Sequence, residues 1–135
     1  MELKARELRE SDWSELPSWW KWWRWPEVSR DTLPLNGLGG IMICKDTVNI
    51  AAGFLYLSNS NVAWLDWVVS NPEYKDKDRK QALELLINSL EEVAKEQGYS
   101  VIITITKSKH LIDTHKKLGY TVDMKPSYEI SKKIK

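Results

Sequence analysis

Residues 62–70 are apolar almost throughout (Val62, Ala63, Trp64, Leu65, Trp67, Val68, Val69), which predicts a strand buried on both faces. Asp66 is the lone charge in it. A helical period follows: Leu83, Leu86, Leu90 and Val93 recur at the spacing of one helix face over 79–97. Asp78 with Gln81 three residues on reads as a capping box at its start, and Gly98 sits where a C-terminal cap belongs. Upstream, residues 38–44 and 48–57 read as strands joined by a tight hairpin at Lys45-Asp46-Thr47. Within the second, Ala51-Ala52-Gly53 suggests a bulge or a close backbone approach. Residues 3–8 predict a short first strand, and Asp12 stands where it could cap a following helix. Residues 100–106 are a β-branched strand. A short helix over 109–118 ends at Gly119, and a last strand region is expected over 120–130.

Between the first helix and the hairpin lies Trp19-Trp20-Lys21-Trp22-Trp23-Arg24-Trp25, closed by Pro26. At helical spacing Trp19, Trp20, Trp22 and Trp23 fall within an arc of roughly 160°, one broad aromatic face. Such a face can pack as core, line a pocket for an apolar or cationic amine, or meet a partner protein. Residues 26–37 carry turn and loop signals.

The chain has 135 residues and reads as one domain over 1–135, long enough to bury a core. Net charge is +1, which argues against bulk nucleic-acid binding. No apolar stretch approaches the ~20 residues of a membrane span, and residues 1–12 lack the apolar run of a secretory signal. The expected setting is the cytoplasm, with Cys44 a buried reduced thiol. No metal site is expected. From Ser100 onward eight lysines face Asp113, Asp123 and Glu129, a basic third that can receive an anionic ligand or be simply solvated.

The element order is strand, helices, three strands, long helix, strand, short helix, strand. It predicts an α/β (α+β) fold: a mixed, mostly antiparallel sheet of six or seven strands flanked by helices, with one right-handed parallel crossover. This order resembles the GNAT-type N-acetyltransferase superfamily over nearly the whole chain, on three local patterns. Trp67-Val68-Val69-Ser70-Asn71-Pro72-Glu73-Tyr74 is similar to that family's central strand and its "V-x-P-e-y" turn. The long helix ends at Gly98-Tyr99 before a strand. Leu111-Ile112-Asp113-Thr114-His115-Lys116-Lys117-Leu118-Gly119-Tyr120 resembles the family's "lYekLGF" segment at Lys117, Leu118, Gly119 and the closing aromatic.

The resemblance implies an acetyl-CoA-dependent N-acetyltransferase acting by direct attack of an amine on the thioester. Val68, Val69 and Ser70 would pair with the pantetheine, and residues 75–81 (Lys75, Lys77, Asp78, Arg79, Lys80 and Gln81 among them) would wrap the pyrophosphate. The family's "R-x-x-G-x-G/A" loop is altered here: Lys75 stands for the arginine, Asp78 and Lys80 for the glycines. Four bases against two acids in that loop offer side-chain contacts in exchange. Asp66 is the implied base, His115 replaces the usual tyrosine acid, and Ser108 falls where an asparagine often meets the cofactor, or serves only as a helix cap. Trp20, Trp23 and Trp25 would line the acceptor site. The implied partners are acetyl-CoA and an amine-bearing small molecule or protein, and a homodimer is compatible with the reading. A second reading keeps the fold and gives up catalysis, leaving a binding module that uses its tryptophan-rich surface.

Overall fold

The computed structural model describes residues 2–26 and 28–135. The expected loop at 26–37 therefore includes one residue, 27, outside the described set. Five strands and three α-helices succeed one another: β1 (Lys4–Glu7), α1 (Leu16–Trp22), β2 (Gly40–Lys45), β3 (Val48–Leu57), β4 (Val62–Ser70), α2 (Arg79–Glu96), β5 (Val101–Thr104) and α3 (Lys109–Lys117). The strands lie in the order β1-β2-β3-β4-β5. The first three pairings are antiparallel and the last, across the α2 crossover, is parallel. This is the mixed, mostly antiparallel α+β sheet that the element order predicts.

Each face of the sheet has its own core. On one face the α2 stripe of Leu83, Leu86, Ile87 and Leu90 packs on Ile43, Ala51, Leu55 and Leu65. Leu86 and Ile87 are wholly buried, so truncating either to alanine should cost about 2–5 kcal/mol. On the other face Leu16, Trp19 and Trp20 of α1 pack on Met42, Ala52, Phe54 and Val69. Gly98 and Gly119 end α2 and α3 at φ +92° and +96°, conformations that favour glycine. Cys44 is a free, buried thiol.

Three expectations are corrected. Residues 120–130 form no strand, so among the described residues the sheet has five strands rather than six or seven. The reason is local: the Asp123 carboxylate accepts the Lys125 N–H at 2.9 Å, turning the chain, and Pro126 then removes a ladder donor. Asp12 does not cap α1. It lies in a 3₁₀ turn over Glu10–Ser14, is 1% exposed, and accepts from Arg6 and the Arg9 amide. Asp78 does precede α2, but it makes no capping bond. Its carboxylate accepts instead from Lys45 Nζ at 2.9 Å and Tyr74 Oη at 2.6 Å.

Candidate active site

The site begins where β4 and β5 part. The two strands pair over Val62–Leu65 and Val101–Thr104 only. Past Leu65, β4 keeps β3 on one side and, among the described residues, has no strand on the other. The parting coincides with a bulge: Phe54 pairs with Asp66 and Ala52 with Val69, so Trp67 and Val68 together oppose Gly53. Trp67 takes φ +58°, a left-handed conformation that costs a non-glycine residue about 1–2 kcal/mol. Two bonds hold it there. Its amide donates to Asp66 Oδ1 at 2.7 Å and its indole N–H to Tyr56 Oη at 3.0 Å. Gly53 permits the fit, because a Cβ at that position would meet Leu90 at 3.1 Å and Val68 at 3.3 Å. The extra residue of this bulge is in β4 and not at Gly53 in β3, where the expectation is met instead as a close backbone approach to Gly40.

Two joined cavities open in the gap. The larger, 630 Å³, runs along Val68, Val69 and Ser70 to the start of α2, where Lys77, Arg79 and Lys80 line it. The smaller, 320 Å³, holds Asp66, Trp67, His115 and Glu129. Trp25, Val68, Ser108 and Leu111 border both, so the two meet at these four residues.

The cationic end of the larger cavity keeps open helix-start amides despite its missing glycines. Among the described residues, nothing accepts the amides of Lys80 and Gln81 at the start of this 18-residue helix. No residue from 75 to 81 has positive φ, so glycine is not needed for the backbone path. Lys45 and Tyr74 hold the Asp78 carboxyl below the usual carboxylate range; the Tyr74 bond contributes most, then Lys45. The same contact, with burial, pushes the Tyr74 phenol up. Asp78 thus spends its charge on Lys45 and does not line the cavity. Lys75 and Gln81 are exposed and lie outside its walls as well.

Asp66 is half-buried. Burial lifts its carboxyl above the usual range and the nearby Glu129 charge adds to this, against the Trp67 amide bond. His115 is buried; its Nδ1 lies 2.7 Å from the Leu111 carbonyl, which can only accept, so the proton sits on Nδ1. Nε2 is buried without a partner, and the ring packs edge-on to Tyr120 at 4.8 Å. Tyr120 donates to Glu91 at 3.3 Å, and burial followed by that carboxylate pushes its phenol up. The structure therefore brings Asp66 and His115 to one cavity from separate elements. Ser108 both caps α3, accepting from the Leu111 amide at 3.3 Å, and borders the cavities.

The tryptophans divide. Trp20 is 2% exposed, 5.6 Å from Trp13 and 6.1 Å from Phe54 (ring centroids), so it is core and not pocket wall. The helix turns that indole onto the sheet because its apolar stripe is Leu16, Trp19 and Trp20. Trp23 and Trp25 leave the helix end and reach the cavities. Trp23 donates to the Ser70 carbonyl at 3.0 Å and lies under the Arg79 guanidinium, 5.9 Å from ring centroid to Cζ. Arg79 also donates to Ser70 Oγ at 3.2 Å. Trp25 sits 6.2 Å from Trp67. Sequence reasoning missed Trp67, Glu129 and Leu111 as wall residues; only Trp67, next to the lone strand charge, carried any signal.

No protein-family model matches the chain, and no curated protein matches it. Solved structures do. An acetyltransferase from Trypanosoma brucei superposes with a TM-score of 0.65 at 19% identity, covering 96% of this chain and 100% of that one. The aminoglycoside acetyltransferase AAC(6')-Iy, solved with the bisubstrate analogue CoA-S-monomethyl-acetylneamine, gives 0.67 at 13% over 98% and 99% of the two chains. N-acetylglutamate synthase from Neisseria gonorrhoeae, complexed with coenzyme A and N-acetyl-glutamate, gives 0.70 at 12% over 86% of this chain and 28% of that longer one. The chain therefore has the GNAT acetyltransferase fold. Among the described residues no helix is long and apolar enough to cross a membrane.

Proposed function

We infer that the protein is an acetyl-CoA-dependent N-acetyltransferase. The observation that supports this best is the parting of β4 from β5 beside an amide- and lysine-lined helix start. It offers an extended strand edge for an amide-bearing pantetheine chain and a cationic end for its phosphates. Val68, Val69 and Ser70 present the strand edge; Lys77, Arg79 and Lys80 with the free amides of Lys80 and Gln81 take the phosphates.

In the smaller cavity Asp66 accepts the proton of the acceptor ammonium. Its raised pKa makes it a stronger base than a solvated carboxylate. The freed amine attacks the thioester carbonyl, a C–N bond forms, the C–S bond breaks, the thiolate leaves, and the nitrogen gives its second proton to solvent. His115 returns a proton to sulfur from Nε2, which requires the charged ring because Nδ1 is committed to Leu111. Nothing calls for a covalent intermediate on the protein: Cys44 is buried in β2.

Calorimetry with acetyl-CoA, then acetylation of an amine panel across pH, tests the reading. Asp66→Asn should cost about 10²-fold in kcat, most at low pH where fewer acceptor amines are neutral already. His115→Phe should lower kcat as well, by removing the group that returns a proton to sulfur. Binding of acetyl-CoA without transfer to any amine would refute catalysis. A silent His115→Phe alone would assign the proton on sulfur to water.

A further inference from the structure

Charge is partitioned between the two joined cavities. Among the described residues the larger has Lys77, Arg79 and Lys80 on its wall and no carboxylate. The smaller has two carboxylates, Asp66 and Glu129, against the single ammonium of Lys107. Two indoles line the same cavity, Trp25 and Trp67, with ring centroids 6.2 Å apart. At 320 Å³ this cavity is at the small end of ligand sites. Resting on the acetyl-transfer reading, we propose that its acceptor is an unbranched aliphatic diamine. One ammonium is at Asp66, the methylene stem lies against Trp25 and Trp67, and the second ammonium is at Glu129.

The chemistry of the walls selects this class. An anionic acceptor such as an acidic amino acid would meet two carboxylates with one lysine to offset them. A monoamine leaves Glu129 unanswered. A dication answers both acids and gains the faces of two indoles, whose attraction for ammonium grows in a partly desolvated site. The Glu129 charge already acts on Asp66, since it helps lift that carboxyl. A cation beside Glu129 removes this like-charge pressure, so occupancy of the distal position is coupled to the base. The transfer balances: the proximal ammonium gives one proton to Asp66 and its nitrogen takes the acetyl group. The nitrogen sheds a second proton as the C–N bond forms, and that second proton offsets the one the thiolate takes up. The thiolate is protonated to the free thiol, and the Asp66 proton passes to solvent. The distal ammonium is unchanged.

The test compares diaminobutane with butylamine, first as binding to the coenzyme A-saturated protein by calorimetry, then as turnover with acetyl-CoA. Diaminobutane should bind about tenfold more tightly. Glu129→Gln, in an exposed segment without regular structure, should erase that preference both in binding and in KM. Trp25→Ala should weaken both amines. Equal binding of the two amines, or a preference that survives Glu129→Gln, overturns the proposal whatever the turnover. A diamine preference in binding with no turnover of any amine sustains the recognition site and refutes the transferase reading instead.

Discussion

Replacing Asp12 by alanine tests how the wall of the site is anchored. The carboxylate is 1% exposed and accepts four bonds: Arg6 Nη1 at 2.9 Å, Arg6 Nη2 at 2.7 Å, the Arg9 amide at 2.9 Å and Asn49 Nδ2 at 3.4 Å. Asn49 also reaches Glu15 at the entrance to α1, and its carbonyl accepts from Asn71 beyond β4. Removing one partner of a buried pair costs about 3–5 kcal/mol because the other charge is stranded. The Arg6 side chain is 21% exposed and keeps Asn49 Oδ1 at 3.1 Å, which puts the loss near the lower bound, about 3 kcal/mol. For a domain of this size that lowers Tm by about 10 °C. Burial alone would lift the Asp12 carboxyl, but the Arg6 and Arg9 bonds outweigh it and hold the carboxyl below its ordinary value. A depressed folded pKa gives stability that is full above the unfolded value, about 3.9, and is lost as pH falls through the folded one. Urea denaturation of both proteins should therefore show a full gap at neutral pH that closes in acid. A neutral gap under about 1 kcal/mol, or one that persists unchanged through acid, would refute the reasoning.

Two further outcomes are expected. A Cβ on Gly40 would lie 2.1 Å from the Gly53 carbonyl oxygen, a backbone atom pinned by the bulge, so Gly40→Ala should cost about 3 kcal/mol in chemical denaturation; a native midpoint would contradict that packing. Asp66 has the opposite linkage to Asp12: its folded pKa is raised, so its charge costs stability as pH rises through that value, while below the unfolded value there is no cost. Asp66→Asn, which keeps an acceptor for the Trp67 amide, should melt higher than the parent at neutral pH and equal to it in acid, and a lower neutral melting point would count against the burial argument.

Much of this was legible in the chain. The apolar run with Asp66 marks β4, although that strand is buried mainly at Ala63, Leu65 and Val69 and not on both faces as expected, since Trp64 is exposed. The leucine period marks α2, and Gly98 and Gly119 fall at left-handed helix ends, as local patterning requires. What was not legible depends on partners far away. Asp78 is a good capping residue that Lys45, thirty-three residues off, draws away. Asp12 looks like a cap and is the centre of a buried cluster joining β1 and β3. The aromatic stretch has a helical period only as far as Trp22, so an arc drawn through Trp23 mixes core indoles with cavity walls. The missing last strand shows the reverse case, where an Asx turn and a proline outweigh residues that otherwise suit a strand.

The spatial order of the strands repeats their order in the chain. β2, β3 and β4 are joined by connections of two and four residues, at 46–47 and 58–61, so their meander is assembled from near neighbours at little loop-closure cost. β5 returns only after the whole α2 crossover and is held by a four-residue ladder on a single side. The meander is thus the early and durable part of the molecule, and the β5 edge is its late, easily lifted margin. Since the cavities exist only while that margin is down, whatever fills them acts as a clasp. Its binding energy goes first to the part of the fold that has least of its own.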